Sequence, residues 1–474
     1  MSRYDNNLVV IGAGSAGLIA ALIAATVRAK VTLIERNAMG GDCLNTGCVP
    51  SKTLIRSAKV AHEQRIASEF GIASEAPQVD FREVMARVHR AIATIAPKDS
   101  VERYSELGVD CIMGEARLLD AHHVEVAGRT LSTRSMVLAT GGSPVIPPIP
   151  GLAEADPLTS DSLWSLQELP ARLLVMGGGP IGCELAQSFA RLGSQVTLID
   201  MESRLLPRED ADVAEFLAEV LRSEGVDVRL GHRAKEVFAG ELLAETAGGE
   251  SRIAFDRILV AVGRAAQTGA LGLEQLGIQR NADGTIGVDH YLRTRCHNVY
   301  ACGDVIGPYQ FTHMAAHQAW YASVNALFGR LWKFKVNYAV VPWATYTDPE
   351  IARVGLSESD ARAQGVAVEV VRYELDDLDR AITEGNTRGW VKVLVVPGKD
   401  KILGVTIVGA HAGELISEFI LAMTHGLGLK QIMATIHIYP TLAEANKFAA
   451  STWRRAHTPH RLLQWVGRLH ALLR

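Results

Sequence analysis

The sequence is short of cysteine, has no excess of either charge and contains no low-complexity or tandemly repeated segment, and each shortage removes a class of protein. Six cysteines (Cys43, Cys48, Cys111, Cys183, Cys296 and Cys302) in 474 residues are too few for a disulfide scaffold. Cys43 and Cys48 are the closest pair. Lys plus Arg number 48 against 52 for Asp plus Glu, a formal charge of −4, so there is no broad basic field for nucleic acid and no acidic tail. No basic start leads into an apolar core and a small-residue cleavage site, so no secretory signal is expected and the protein is expected in the cytoplasm. In a reducing compartment any disulfide is a working one. One uncharged run, residues 8–27, is long enough to pass a crude membrane-span filter. Its glycine spacing gives a better reading, and no transmembrane segment is expected.

What is present is a pattern that occurs twice. The apolar run 8–11 leads into Gly12-Ala13-Gly14-Ser15-Ala16-Gly17, then an alanine-rich helical stretch, then residues 31–35 ending in Glu35. Residues 172–176, Gly177-Gly178-Gly179-Pro180-Ile181-Gly182 and residues 196–200 ending in Asp200 repeat the order strand, turn, helix, strand, acid. A single glycine motif is weak, because glycines also mark ordinary turns. In this context the first glycine permits a tight turn, the second lets backbone approach a pyrophosphate, and the third lets helix and strand pack closely. Two copies predict two bound nucleotides. Glu35 and Asp200 sit where an acid would bond a ribose hydroxyl. A carboxylate at Asp200 repels a 2′-phosphate, which favours NADH, although Arg204 and Arg208 are close enough in sequence to admit NADPH.

At this length two to four domains are expected. Ala139-Thr140-Gly141-Gly142-Ser143-Pro144, followed by Pro147, Pro148 and Pro150, reads as a strand end and a stiff connector. After about residue 275, strand and turn signals return, culminating in Val299-Tyr300-Ala301-Cys302-Gly303-Asp304. From about residue 341 the texture changes, and runs 391–396 and 403–408 predict paired strands flanked by helices.

The most informative segment is Gly41-Asp42-Cys43-Leu44-Asn45-Thr46-Gly47-Cys48-Val49-Pro50-Ser51-Lys52. On a helix start, this spacing is expected to put both thiols on one face within disulfide reach, with the helix end lowering a thiol pKa. Two buried cysteines, or half of a zinc site, are the other readings; zinc needs further thiol or imidazole ligands at short spacing, and none lie near. No metal site is expected.

The segment resembles the active-site helix of the class I flavoprotein pyridine nucleotide-disulfide oxidoreductases, among them dihydrolipoamide dehydrogenase, glutathione reductase and mercuric reductase. The likeness extends over both glycine fingerprints, the Ala-Thr-Gly connector, Val262-Gly263-Arg264 and Cys302-Gly303-Asp304. It implies an α/β fold of glutathione-reductase type, with two Rossmann-like dinucleotide-binding domains and a C-terminal α+β dimerisation domain. Residues 1–150 and 275–340 would bind FAD, 151–274 would bind NAD(P), and 341–474 would form the dimer. It also implies FAD at Gly12, Gly14, Gly17, Glu35, Thr140, Gly141, Gly303 and Asp304, with Asp304 on the ribityl chain. NADH or NADPH would lie at Gly177, Gly179, Gly182, Asp200 and Gly263. By the same resemblance Cys48 lies against the flavin as a charge-transfer thiolate, Cys43 is the outer thiol, and Lys52 pairs with Glu184 near flavin N5. The other four cysteines read as small core residues.

The sequence departs from the family where a His-Pro-Thr segment and a glutamate normally reach across the dimer to the partner's outer thiol. Here the chain reads His437-Ile438-Tyr439-Pro440-Thr441-Leu442-Ala443-Glu444. A histidine there acts as acid and base near neutral pH, whereas a tyrosine is a poor base. His437 reads as structural. Mercuric reductase also carries a tyrosine at this place, and Thr347-Asp348-Pro349 and Asn386-Thr387-Arg388-Gly389 resemble it too. No cysteine follows Cys302 to match the vicinal pair that ends that enzyme, and, with the first glycine fold starting within the first dozen residues, no counterpart of its N-terminal metal-binding domain is expected. The expected function is a homodimeric NAD(P)H-dependent FAD oxidoreductase passing electrons through Cys43 and Cys48 to a metal ion or a small-molecule disulfide. A dihydrolipoamide dehydrogenase serving a lipoyl protein is the alternative enzyme, and a redox partner protein the alternative class. The tail 453–474 is basic with apolar residues at helical spacing. It could cover the pocket, touch an anionic membrane or dock a partner, and packing on the dimer is the plainer expectation.

Overall fold

A computed structural model describes residues 4–474, apart from the side chain of His460. The chain divides into two compact units, Met1–Leu205 with Ala218–Asn337, and Leu206–Leu217 with Tyr338–Arg474.

The first unit contains both nucleotide folds. Its larger, seven-stranded sheet runs Val109–Met113, Val31–Glu35, Asn6–Ile11 and Arg129–Leu138 in parallel, then His123–Val126 and Ala116–Leu118 antiparallel, with Val299–Ala301 added in parallel on Arg129–Leu138. The uncharged run is thus a buried strand, a glycine turn and the helix Ser15–Thr26. Among the described residues no helix is long and apolar enough to cross a membrane. The second sheet is parallel in the order Asp227–Leu230, Gln195–Asp200, Arg172–Met176 and Arg257–Val260. The two glycine turns are built alike. Gly12 has φ +101° and Gly177 φ +115°, and a Cβ there would stand 2.3 Å from Ala139 O or 2.5 Å from Ala261 O. A Cβ on Gly17 or Gly182 would strike the carbonyl oxygen of Gly12 or Gly177 at 1.7 or 1.9 Å. Helix and strand pack closely because those atoms are missing.

The second unit is built on a five-stranded antiparallel sheet, in the order Pro342–Thr345, Glu350–Gly355, Ile402–Gly409, Trp390–Val395 and Glu369–Glu374. The helix Glu444–Ala456 buries Ala445, Ala449, Ala450 and Trp453 in its core. Trp453 is therefore a core residue and not part of a free tail. The segment Leu206–Leu217 belongs to this unit because its acids neutralise a buried cation. Lys392, 1% exposed, has Asp210, Asp212 and Glu358 within 2.9–3.0 Å of Nζ, and Asp210 also accepts from the backbone N–H groups of Glu358 and Ser359.

Candidate active site

Cys43 lies in the short helix Gly41–Asn45, and Cys48 is the first residue of the separate helix Cys48–Arg65. This corrects the expectation of one continuous helical face. Thr46 and Gly47 interrupt the helix, and Gly47 N–H donates to Asp42 O at 2.6 Å. The break turns the chain so that both sulfurs meet, which five residues of regular helix, about 140° out of phase, would not allow.

The loop is pinned on several sides. Gly41 has φ +57°, and a Cβ there would lie 2.6 Å from Gly14 Cα, so the redox segment presses against the first glycine turn. Thr46 Oγ1 donates to Asp42 Oδ1 at 2.6 Å, Trp164 Nε1 donates to Thr46 O at 2.8 Å, and Arg264 pairs with Asp42 at 2.9 Å.

Both cysteines are thiols in this structure, and their protons are unequally held. The Cys48 thiol is brought down to about 6, first by the hydrogen bond from Cys43 and then by the Thr312 hydroxyl and the Lys52 ammonium, against the opposing effect of burial. Cys43 is raised strongly because it donates that bond. The shared proton therefore stays on Cys43 and Cys48 is the thiolate near neutral pH. Thr312 Oγ1 stands 3.2 Å from Cys48 Sγ. Lys52 Nζ, one turn along the helix from Cys48, lies 2.9 Å from Glu184 Oε2, and the Glu184 side chain is 6% exposed. The remaining cysteines stay protonated: burial raises the thiols of Cys111, Cys183, Cys296 and Cys302. Among the described residues no group of three or more His, Cys, Asp or Glu could hold a metal ion.

Two carboxylates close the glycine turns in the same way. Glu35 accepts from Ala13 N at 2.7 Å and Asn37 N at 2.8 Å. Asp200 accepts from Gly178 N at 2.5 Å and Glu202 N at 2.8 Å. In front of the helix ends the middle glycines face open space: a Cβ on Gly14 would meet only Gly41 Cα at 3.8 Å, and one on Gly179 would meet nothing within 4 Å. Free N–H groups and room for a diphosphate are thus both present. A cleft lined by Gly12, Glu35, Arg36, Thr140 and Gln267 continues the first site. Gly303 donates its N–H to Gln318 Oε1 at 2.7 Å, and the Asp304 side chain beyond it makes no hydrogen bond to a described residue. Burial raises that carboxyl to about 6, against the pull of Arg264. Arg264 Nε is also buried without a partner among the described residues. A flavin nucleotide, with its hydroxyls and phosphates, fits this set of donors, acceptors and empty backbone cradle. Gly141 and Gly263 adopt φ +72° and +142°, with no described atom within 4 Å of a Cβ.

The second unit holds the other expected residues. Tyr439, 68% exposed, donates its phenol proton to Asp379 Oδ2 at 2.9 Å. This bond and the Asp379 charge raise the phenol above its ordinary pKa. Glu444 is buried and accepts from Thr441 N at 3.2 Å, so it shares no hydrogen bond with Tyr439. The His437 side chain is 6% exposed, with one ring nitrogen 3.0 Å from Glu418 and the other 3.1 Å from Thr435 O. Both nitrogens are committed, which fits its structural reading. Asp379, Thr312 and the Asp42–Arg264 pair had no signal in sequence, since each partner lies 60 or more positions away.

Two glycine-turn nucleotide folds flanking a paired-cysteine helix define a flavin- and pyridine-nucleotide-dependent oxidoreductase. The family model for pyridine nucleotide-disulphide oxidoreductases matches residues 6–319, and that for their dimerisation domain matches residues 341–450. The chain belongs to this family, and it is an FAD-dependent pyridine nucleotide-disulfide oxidoreductase of mercuric-reductase-like type. Members use FAD and NAD(P)H. It is 36% identical over 456 residues to a mercuric reductase of Lysinibacillus sphaericus, covering 95% of this chain and 83% of that one. It is 34% identical over 459 residues to a dihydrolipoyl dehydrogenase of Chlamydia muridarum, covering 95% and 97%. A Cu(II) complex of the HOCl-induced flavoprotein disulfide reductase RclA from Escherichia coli superposes with TM-score 0.83 at 30% identity, covering 93% of this chain and 99% of that one.

Proposed function

We propose that the protein is a homodimer that uses NADH, or less readily NADPH, to reduce a thiophilic metal ion held by Cys43 and Cys48. The observation that carries this reading is the Tyr439–Asp379 hydrogen bond, at the chain position where the resemblance to disulfide-reducing enzymes implies an acid–base histidine. With its proton committed to Asp379 and its pKa raised, Tyr439 offers an oxygen lone pair and no ready proton transfer. A disulfide substrate needs its leaving thiolate protonated, whereas a metal ion leaving its own ligands for two thiolates needs no acid.

FAD, when bound, accepts hydride from the reduced nucleotide and exchanges electrons with the cysteine pair. Gly12, Gly14, Gly17, Glu35, Thr140, Gly141, Gly303 and Asp304 would hold it. Gly177, Gly179, Gly182, Asp200 and Gly263 would hold the nicotinamide nucleotide. Lys52, anchored by Glu184, places a positive charge beside the thiolate of Cys48. In the oxidised form the two cysteines are joined. Two electrons and two protons restore the thiols, a divalent metal ion binding both sulfurs displaces the two protons, and the sulfurs rejoin as two electrons pass to the ion, which leaves in the reduced state. The dimerisation-domain match and the exposure of Tyr439 support a dimer in which Tyr439 and the helix start at Glu444 meet the redox pair of the partner subunit.

The dihydrolipoyl dehydrogenase relative supports a second reading, oxidation of a lipoyl-bearing protein. Steady-state assays with NADH and with Hg(II), Cu(II), lipoamide and oxidised glutathione separate the two. Metal-dependent NADH oxidation well above the lipoamide rate is expected. Lipoamide turnover that exceeds every metal rate would overturn the proposal.

A further inference from the structure

Among the described residues of the last helix, His460–Leu472, none is buried. Leu462, Trp465, Leu472 and Leu473 are 54, 61, 84 and 74% exposed, although the preceding helix is anchored through buried Trp453. The anchor ends at His457, which stacks on Trp453 and pairs with Glu369 at 3.3 Å, and Thr458-Pro459 forms the joint. At 100° per residue, Leu462, Trp465, Val466, Leu469, Leu472 and Leu473 fall within an arc of about 120°. Arg461 and Arg468 border that arc on one side and His470 on the other.

Charge decides what covers this face. Residues 445–474 contain six Lys or Arg and no Asp or Glu, in a chain whose net charge is −4. A twofold-related copy of the same helix would set Arg461 and Arg468 against like charge. The helix is about 20 Å long, too short to span a bilayer, but a cationic rim beside leucines and a tryptophan suits the plane of an anionic lipid surface. We propose that this helix docks the enzyme on the face of an anionic bilayer, apolar arc inward and arginines at the headgroups. This is independent of the substrate assigned above.

The test is vesicle co-sedimentation of the FAD-loaded full chain and of a chain ending at Thr458. Vesicles of phosphatidylcholine alone are compared with vesicles containing phosphatidylglycerol. Binding is expected only to the phosphatidylglycerol vesicles, to weaken at high salt, and to disappear on truncation. Arg461→Gln and Arg468→Gln should each weaken it about fivefold, and Trp465→Glu should abolish it with the fold intact by circular dichroism. Equal sedimentation of the full and truncated chains, or none of either, overturns the proposal. So does dissociation of the dimer on truncation in sedimentation velocity without lipid, which would make the helix a contact with a second copy.

Discussion

Tyr439 and Asp379 lie 60 positions apart and share a 2.9 Å hydrogen bond in which the phenol donates to the carboxylate. The consequence is chemical, because a phenol proton engaged by Asp379 is not offered to a leaving thiolate, and a phenol raised above its ordinary pKa is not a base at neutral pH. Tyr439→His supplies a group that titrates near neutrality, and should raise lipoamide or glutathione-disulfide turnover by roughly ten- to hundredfold. Unchanged disulfide turnover in that variant, with the dimer and flavin retained, would remove the role given to the tyrosine.

The state of Cys48 has its own pH signature. Its thiol is lowered to about 6, so in the reduced enzyme the thiolate is present above that pH and is lost as pH falls through it. Long-wavelength absorbance of the two-electron-reduced enzyme should follow this titration. Thr312→Val removes a hydrogen bond to the charged sulfur, worth about 1.5 kcal/mol, and should move the midpoint up by about one unit. An unmoved midpoint would show that Thr312 does not hold the thiolate.

Asp200 bears on nucleotide choice. Its two backbone hydrogen bonds fix a carboxylate at the end of the second nucleotide strand, where by our proposal it would accept from a ribose hydroxyl and repel a phosphate. NADH should give the higher kcat/KM, and Asp200→Ser should narrow the ratio by raising the NADPH value. Comparison of the two coenzymes in both proteins is the check, and an initial preference for NADPH would contradict it.

Lys392 tests the assignment of Leu206–Leu217 to the C-terminal unit. Lys392→Met leaves the buried Asp210 beside other acids without a counter-ion, and should cost about 3–5 kcal/mol. The loss would be read from denaturant unfolding, with partial recovery in Lys392→Met/Asp210→Asn. Burial alone would raise the Asp210 carboxyl, but bonds from Ser359 and Lys392 outweigh it and the pKa is lowered. Its contribution is therefore complete above the ordinary carboxylate value and disappears as pH falls through the lower folded one. A variant as stable as the parent would mean that the segment is held otherwise.

What could be read from sequence follows from how local each constraint is. Gly12, Gly17, Gly177 and Gly182 were legible because a turn and a close helix–strand approach leave no room for a side chain, and the acids follow within about two dozen residues. The pairing of the strands Trp390–Val395 and Ile402–Gly409 was legible from two adjacent apolar runs. Cys43 and Cys48 were legible as a pair; the helix break between them was missed although Gly47 is a residue type that commonly ends a helix. Asp379, Thr312 and Arg264 act through partners 60 to 264 positions away, and no periodicity connects such residues. The same holds for Lys392, whose position in an apolar strand reads as an anomaly until the acids of residues 206–217 are placed beside it.

The most direct measurement is anaerobic addition of one equivalent of NADH per subunit to the FAD-loaded oxidised enzyme, followed by alkylation and mass spectrometry of all six cysteines. Cys43 and Cys48 should pass together from blocked to alkylated, while Cys111, Cys183, Cys296 and Cys302 keep their initial reactivity. Consumption of NADH with both residues unchanged, or a redox change at another cysteine, would contradict the account.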